Sequence, residues 1–503
     1  MSDRETSGPE AGLFFIDQHG CAKNQVDAEL IAARLIEMGW RIADDPARAA
    51  LIVVNSCGFI ESAKKESIEA VLTARAAYPG ARVVLAGCLA ERYADEFRDG
   101  LPEADAFFGN GDLSRVGEVV SALFPAGTAA GVPEGVPARP SVVPPQCGVC
   151  AGDRPLLFSF PRSAYVKITE GCDNRCSFCA IPLIRGGLRS RPAIEIVDEI
   201  RVLASRGVFE FNLIGQDLAA YGLGEGDDVG ELAGEGSPLP RLVRAISALD
   251  GDFRVRLLYV HPDHFPDDLV PAMAADSRFL PYFDIPFQSG DPAVLRAMNR
   301  RGTDEGYRSL VDRIRRGFRD AGSPYGAVAL RTTFLVGFPG ETDESFERSA
   351  NFLADIRPLW SGAFTWSREE GTPAASLKGR VAKRVADSRL AQLKEAQTAI
   401  TMEELSFFVG RRVEVLIEEL IEDAADSGSI DAASSSSAAG SRPPAERLAI
   451  GRAWFQAPEV DGAVVLSFDD GTRDREGKPL GPGSVVMADI VAVNGVDVEA
   501  VAR

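Results

Sequence analysis

No run of ~18 apolar residues occurs in the chain, which excludes a membrane-spanning helix, and no basic-then-apolar leader opens it, so a cytoplasmic protein without membrane partners is expected. Cysteine is scarce. Eight in 503 residues are too dilute for a disulfide scaffold, and a reducing compartment directs them to metal ligation or catalysis. Basic residues fall short of acidic ones, 54 against 74, leaving a formal net charge of -20. That balance repels phosphate backbones, speaks against direct nucleic-acid binding and suits a basic partner. No internal repeat is evident. What is present is ordinary globular composition, 45% apolar and 25% charged, over a length that suggests about three domains at roughly 150 residues each.

Residues 1–11 read as a polar leader. From residue 12 to 124, β-rich runs alternate with amphipathic stretches. Leu13 to Ile16, Leu51 to Asn55 and Val83 to Gly87 read as strands, and Asp27 to Met38 and Glu61 to about Ala76 as helices. This predicts a doubly wound parallel sheet. Cys21, Cys57 and Cys88 each follow a different strand, so parallel packing would gather them on one sheet edge, where open α/β folds bind ligands. Residues 125–157, rich in Pro, Gly and Ala, read as a linker. Six further strand candidates between 158 and 405, from Ala164 to Trp366, predict a partial (β/α) barrel, and Glu305 to Ala321 is its clearest helix. Gly222 to Pro240 reads as a surface loop. The last segment, 406–503, alternates like a small β-barrel, interrupted at 423–445 by a low-complexity Ser-rich insert.

The segment EGCDNRCSFCAIPLIRGGLRSRP places Cys172, Cys176 and Cys179 in one loop just after a strand. Thiolates are the usual ligands of iron–sulfur clusters, and three local thiols leave one iron open to chelate a substrate. The competing reading is a zinc or iron–sulfur scaffold without catalysis. Cys147 and Cys150 form a CxxC pair that could join Cys176 and Cys179 in a zinc-ribbon arrangement, at the expense of orphaning Cys172.

The three-cysteine loop resembles the radical S-adenosylmethionine superfamily. That resemblance implies a 4Fe-4S cluster on Cys172, Cys176 and Cys179, a cofactor chelated to the open iron, and reductive cleavage to a 5'-deoxyadenosyl radical. It also implies cofactor-binding roles for Phe178, Gln216, Asp217, Gly337, Gly340 and Glu341, which follow the last-cysteine, QD and GFPGE motifs; the alternative for Phe178 is a core aromatic. HGCAKNQVDAE, NSCGFIESAKKESI and AGCLAERY are similar to the N-terminal domain of the methylthiotransferase family, whose three cysteines hold a second 4Fe-4S cluster. Buried apolar thiols are the competing reading for Cys21, Cys57 and Cys88.

Within that family, CGFIESAKKESI, QDLAAYG and GRAWFQAPEVDGAVVL resemble the branch that modifies an aspartate of small-subunit ribosomal protein twelve, rather than the branch that modifies transfer RNA adenosine. The resemblance implies two S-adenosylmethionine molecules, a flavodoxin- or ferredoxin-type reductant and a C-terminal domain of the TRAM type. Residues 406–503 carry 9 basic and 17 acidic side chains, a net of -8, which suits a basic protein substrate better than RNA. Ala22 stands where the family usually has Pro, and Ser289 where it usually has His.

Overall fold

The computed structural model describes residues 10–125, 140–146, 148–230, 232, 234–421 and 447–503. Most of the polar leader, part of the linker, Cys147 and the Ser-rich insert lie outside the described residues.

Near-continuous apolar runs such as AALIVVNS are what a strand covered on both faces requires, and the first sheet is built from them. Its strands are β1 (Glu10–Gln18), β2 (Arg41–Ile42), β3 (Ala49–Ser56), β4 (Arg82–Gly87), β5 (Ala106–Phe108) and β6 (Ser141–Val142). All are parallel, in the order β2-β1-β3-β4-β5-β6. Helices α1 (Ala22–Glu37), α2 (Glu61–Ala77), α3 (Cys88–Gly100) and α4 (Val116–Leu123) connect them. The strand order reverses between β1 and β3, the point at which such sheets open a crevice at their carboxyl edge.

The stretch read as a linker is more than that. β6 pairs with β5, and Arg154 is 3% exposed, ion-paired to Glu29 of α1 and to Glu199. Its Pro and Gly content signals loops but is silent about a two-residue edge strand or a partner far away in sequence.

A second parallel sheet follows the expected partial barrel. Its strands are β7 (Ser163–Lys167), β10 (Glu210–Ile214), β11 (Arg254–Leu257), β12 (Phe279–Asp284), β13 (Ala329–Val336) and β14 (Trp360–Thr365), ordered β14-β13-β12-β11-β10-β7. A short antiparallel pair, β8 (Thr169–Glu170) and β9 (Arg189–Ser190), brackets the cysteine loop. Helix α5 (Ile181–Arg185) ends that loop, and α6 (Ala193–Ser205), α7 (Pro238–Ser247), α8 (Leu269–Ala274), α9 (Pro292–Ala297), α10 (Asp304–Asp320), α11 (Asp343–Ile356) and α12 (Lys383–Ser406) complete the unit. Helix α10 shows why these residues choose helix: Thr303 caps it by accepting the Gly306 N–H, and Tyr307, Leu310, Val311, Ile314 and Phe318 bury one face. The Gly222 to Pro240 stretch is a surface loop pinned by buried Leu232, and its last residues already belong to α7.

The remaining strands, β15 (Arg412–Ile421), β16 (Arg447–Arg452), β17 (Val464–Phe468), β18 (Val485–Asn494) and β19 (Asp497–Ala502), close into a barrel ordered β15-β16-β17-β19-β18, which leaves no open edge. Buried Arg452 of β16 ties the barrel to β10 through Glu210 at 2.9 Å, and the Trp360 indole donates to the Phe455 carbonyl at 2.6 Å.

Candidate active site

Neighbouring parallel strands bring their carboxyl ends together, and here β1, β3 and β4 each lead into a cysteine. Asn24, in the first turn of α1, organises the three. Its Oδ1 accepts from Cys21 and from Cys88, each at 3.5 Å, and its Nδ2 donates at 2.7 Å to the Ser56 carbonyl, one residue before Cys57. Asn110 Nδ2 donates to Cys88 Sγ at 3.4 Å. Glycine permits the close approach: a Cβ on Gly58 would lie 2.7 Å from the Cys88 carbonyl oxygen. Burial pushes the Cys57 thiol up to about 12, with Cys88 and Cys21 adding to it. Burial also raises Cys88, against the pull of Arg185. Cys57 and Cys88 so placed favour the protonated thiol unless a cation sits beside them, which metal coordination would supply.

The second set hangs on one loop. Gly171 has φ +72, and a Cβ there would fall 2.0 Å from the Gly187 carbonyl oxygen, so only glycine passes beside the Gly186–Gly187 backbone. Asn299 Nδ2 donates to the Asn174 and Arg175 carbonyls at 3.3 and 3.0 Å. Ser177 is held by the Met298 and Ala297 carbonyls. Asn174 Nδ2 donates to Cys172 Sγ at 3.3 Å, and the Ile181 N–H to Cys179 Sγ at 3.5 Å. Burial pushes Cys172 up to about 11 and Cys179 up to about 12.

The six residues expected to bind cofactor fall into three groups. Gln216 and Asp217 stand at the end of β10. Gln216 donates to Glu170 at 3.2 Å and leaves its buried Oε1 without a partner, as does Thr169 Oγ1 nearby. Asp217, 1% exposed, accepts from Asn174 Nδ2 at 2.8 Å and shares a 2.5 Å hydrogen bond with His264. It lines a cavity of about 200 Å³ with Cys172, Asn174 and His264. Phe178 packs with Phe338, Trp366, Val294 and Met298. Gly337, Gly340 and Glu341 form the turn after β13, and the Glu341 carboxylate is engaged by Arg389 at 2.6 Å and by the Gly337 N–H at 3.0 Å.

Several buried charges escaped the sequence reading. Arg185, within the quoted segment but carrying no signal of its own, donates from Nη2 to Cys88 Sγ at 3.3 Å, Asn24 Oδ1 at 3.1 Å and Asp27 Oδ2 at 2.9 Å. Its Nη1 donates to Glu170 at 2.7 Å. Lys167 bridges the same two acids, Asp27 at 2.5 Å and Glu170 at 2.7 Å. One arginine thus joins the end of the second cysteine loop to a thiol of the first set. A further junction is Glu369, paired with Lys64 of α2 at 2.7 Å and Arg92 of α3 at 3.2 Å.

The donor chemistry of both sets, three thiols each, suits an iron–sulfur cluster. Among the described residues, Asp217, His261 and His264 alone bring three potential ligand atoms within 4.8 Å of one another. Neither thiol set is that compact, whereas tetrahedral zinc at a Zn–S distance of about 2.3 Å needs its sulfurs within roughly 4 Å. Cys150, the described half of the CxxC pair, donates to the Gly111 carbonyl at 3.1 Å instead. The orphaned oxygens of Gln216 and Thr169 beside the second set are the unsatisfied polar atoms that a polar cofactor would meet. Among the described residues no helix is long and apolar enough to cross a membrane.

Comparison with known proteins agrees with this geometry. Residues 13–109 match the uncharacterized protein family UPF0004, residues 166–353 the Radical SAM superfamily and residues 442–502 the TRAM domain. The chain is 55% identical to the ribosomal protein uS12 methylthiotransferase RimO of Treponema denticola, over 97% of this chain and 100% of that one. It is 39% identical to the RimO of Desulfosudis oleivorans, over 89% and 92%. In fold alone it is similar to the radical S-adenosylmethionine methyltransferase TsrM of Kitasatospora setae, with a TM-score of 0.50 at 14% identity, covering 77% of this chain and 89% of that one. These relatives favour the ribosomal-protein branch over the transfer RNA branch. Similarity at this level over nearly the whole length shows that the chain belongs to the RimO family of ribosomal protein uS12 methylthiotransferases, enzymes of radical S-adenosylmethionine and iron–sulfur chemistry.

Proposed function

We propose that the enzyme uses two 4Fe-4S clusters and two molecules of S-adenosylmethionine to methylthiolate the β-carbon of one aspartate of uS12. Cys172, Cys176 and Cys179 hold one cluster and Cys21, Cys57 and Cys88 the other. Bound there, these groups supply one-electron cleavage of a sulfonium and a methylated sulfur for transfer. The observation that carries the reading is the Arg185 bridge. It donates to Cys88 and stands six residues beyond Cys179, which supports one site built from both thiol sets.

The protein's own residues then have definite tasks. Glu170, Lys167 and Arg185 keep the two cysteine platforms in register. Gln216, Asp217, Phe178 and the Gly337–Gly340 turn bind the cofactor, with the free Gln216 oxygen as an acceptor; Glu341 serves that turn by holding the Gly337 N–H and Arg389. Each set is anchored by one buried thiol, Cys88 and Cys176, and positioning of the substrate C–H bond makes it the partner of the reactive carbon radical. Electrons come from a flavodoxin- or ferredoxin-type donor in the cytoplasm. The acidic C-terminal segment favours a basic ribosomal protein over RNA. Anaerobically reconstituted enzyme, incubated with purified uS12 or with transfer RNA and read by mass spectrometry, should add a methylthio increment to one uS12 aspartate and none to the RNA; the reverse pattern would sink the reading.

A further inference from the structure

Lys23 stands two residues after Cys21, in the first turn of α1, and is 7% exposed. Its ammonium lies 3.0 Å from the centroid of the Tyr259 ring and, among the described residues, makes no hydrogen bond or ion pair. A buried ammonium is costly unless it is paired, and an aromatic face returns only part of that cost. Cys21 beside it offers a counter-charge only as a thiolate, and the carboxylates nearby are already engaged by other cations. Asp27 and Glu170 are bound by Lys167 and Arg185, and Asp284 by Arg331 at 3.2 Å.

The placement of Tyr259 is itself constrained. It has φ +68, a left-handed backbone that a bulky residue adopts only when its surroundings over-determine it. Its carbonyl accepts the Leu218 N–H at 3.0 Å, which ties the ring to the strand end bearing Gln216 and Asp217. The free ammonium therefore sits between Cys21 of the first thiol set and the polar strand end beside the second.

We propose that Lys23 holds the side-chain carboxylate of the substrate aspartate, an inference that rests on the function proposed above. A largely buried cation without a carboxylate partner at this point fits an anionic group arriving with the substrate. The carboxylate is bonded directly to the β-carbon, so anchoring it places the reacting C–H one bond away from a fixed charge. The same contact discriminates against asparagine, whose neutral amide would leave the ammonium without a counter-charge.

The test uses holoenzyme as wild type, Lys23→Met and Lys23→Arg, with labelled uS12 carrying either the native aspartate or asparagine at the modified position. Equilibrium binding is read by fluorescence anisotropy, and methylthiolation is scored in parallel. Wild type should bind the aspartate form about tenfold or more tightly than the asparagine form. Lys23→Met should lose that preference by weakening the aspartate form alone, with iron per chain unchanged, and Lys23→Arg should keep part of it. Overturning results are a preference that survives in Lys23→Met, an equal loss for both forms, or a fall in S-adenosylmethionine affinity in place of the uS12 preference. Failure of wild type to modify uS12 would overturn the functional reading and this role with it. Modification with an unchanged aspartate preference would overturn the role of Lys23 alone.

Discussion

The two thiol sets reach the same composition by opposite routes. Cys172, Cys176 and Cys179 come from one loop, shaped by Gly171 and Asn174 within it and braced from afar by Asn299, which bonds the Asn174 and Arg175 carbonyls. Cys21, Cys57 and Cys88 come from three strand ends and meet only because β1, β3 and β4 pair in parallel. The local set is gathered by one peptide segment and then braced by distant residues, whereas the dispersed set exists only in a folded sheet. Chemistry that must start from a well-defined centre can rest on the first, while the second depends on every contact that holds the sheet against its neighbour.

Substituting one member of each set should separate their roles with the largest effect. Cys176→Ala should abolish 5'-deoxyadenosine formation and methylthiolation together, a loss of at least about a thousandfold, the scale seen when a member of an interdependent catalytic unit is removed. Cys57→Ser should abolish methylthiolation but keep 5'-deoxyadenosine formation. Chromatographic assay of both products checks the pair; loss of 5'-deoxyadenosine in Cys57→Ser would collapse the distinction between the sets.

The bridge between the sets should be the next most sensitive point. Arg185→Met leaves Asp27 and Glu170 buried with Lys167 as their only remaining strong partner, and removing one member of a buried ion network costs about 3–5 kcal/mol. Denaturant unfolding should show this, and a loss below 1 kcal/mol would mean that the bridge carries no structural weight. A smaller effect belongs to Glu369. Lys64 and Arg92 beside it hold its carboxyl below the ordinary glutamate range, although burial opposes them. A depressed value in the folded state means stability that is present above the unfolded value of about 4.3 and lost as pH falls through the lower folded one. Glu369→Gln should therefore cost about 2 kcal/mol at pH 7, and the gap to wild type should shrink as pH drops below about 4. The smallest effect should come from replacing residues 423–445 with a short turn. Ile421 pairs with Leu448 on either side of it, so the strand ends are already adjacent and shortening the connection between them changes stability by about 1 kcal/mol or less; thermal melts would show it.

The same local-versus-dispersed contrast explains what was legible in the sequence. The strands leading to the cysteines, the six parallel units and α10 follow from periodicity, because each signal lies within its own element. The dispersed thiols were legible through their strand-end placement. Arg185 was not, since Asp27 and Cys88, its partners, lie about a hundred residues or more away and no local pattern marks an arginine that will be buried. Arg154 was hidden for the same reason inside a Pro- and Gly-rich stretch. β16 and β19 went unread because RLAIGR and DVEAVA are short and carry charges, Arg452 even at a buried position, so only pairing within the closed barrel defines them. Glu341 was read from its motif as a cofactor ligand, and its carboxylate engages Arg389 and the turn backbone, contacts that the motif alone does not reveal.

The account's central claim is that there are two clusters rather than one, and counting metal tests it most directly. Anaerobic reconstitution followed by iron and sulfide analysis should give about eight irons per wild-type chain. It should give about four in a variant with Cys21, Cys57 and Cys88 all changed to alanine, and about four in one with Cys172, Cys176 and Cys179 so changed. Four irons in wild type, unaltered by the first triple substitution, would contradict it.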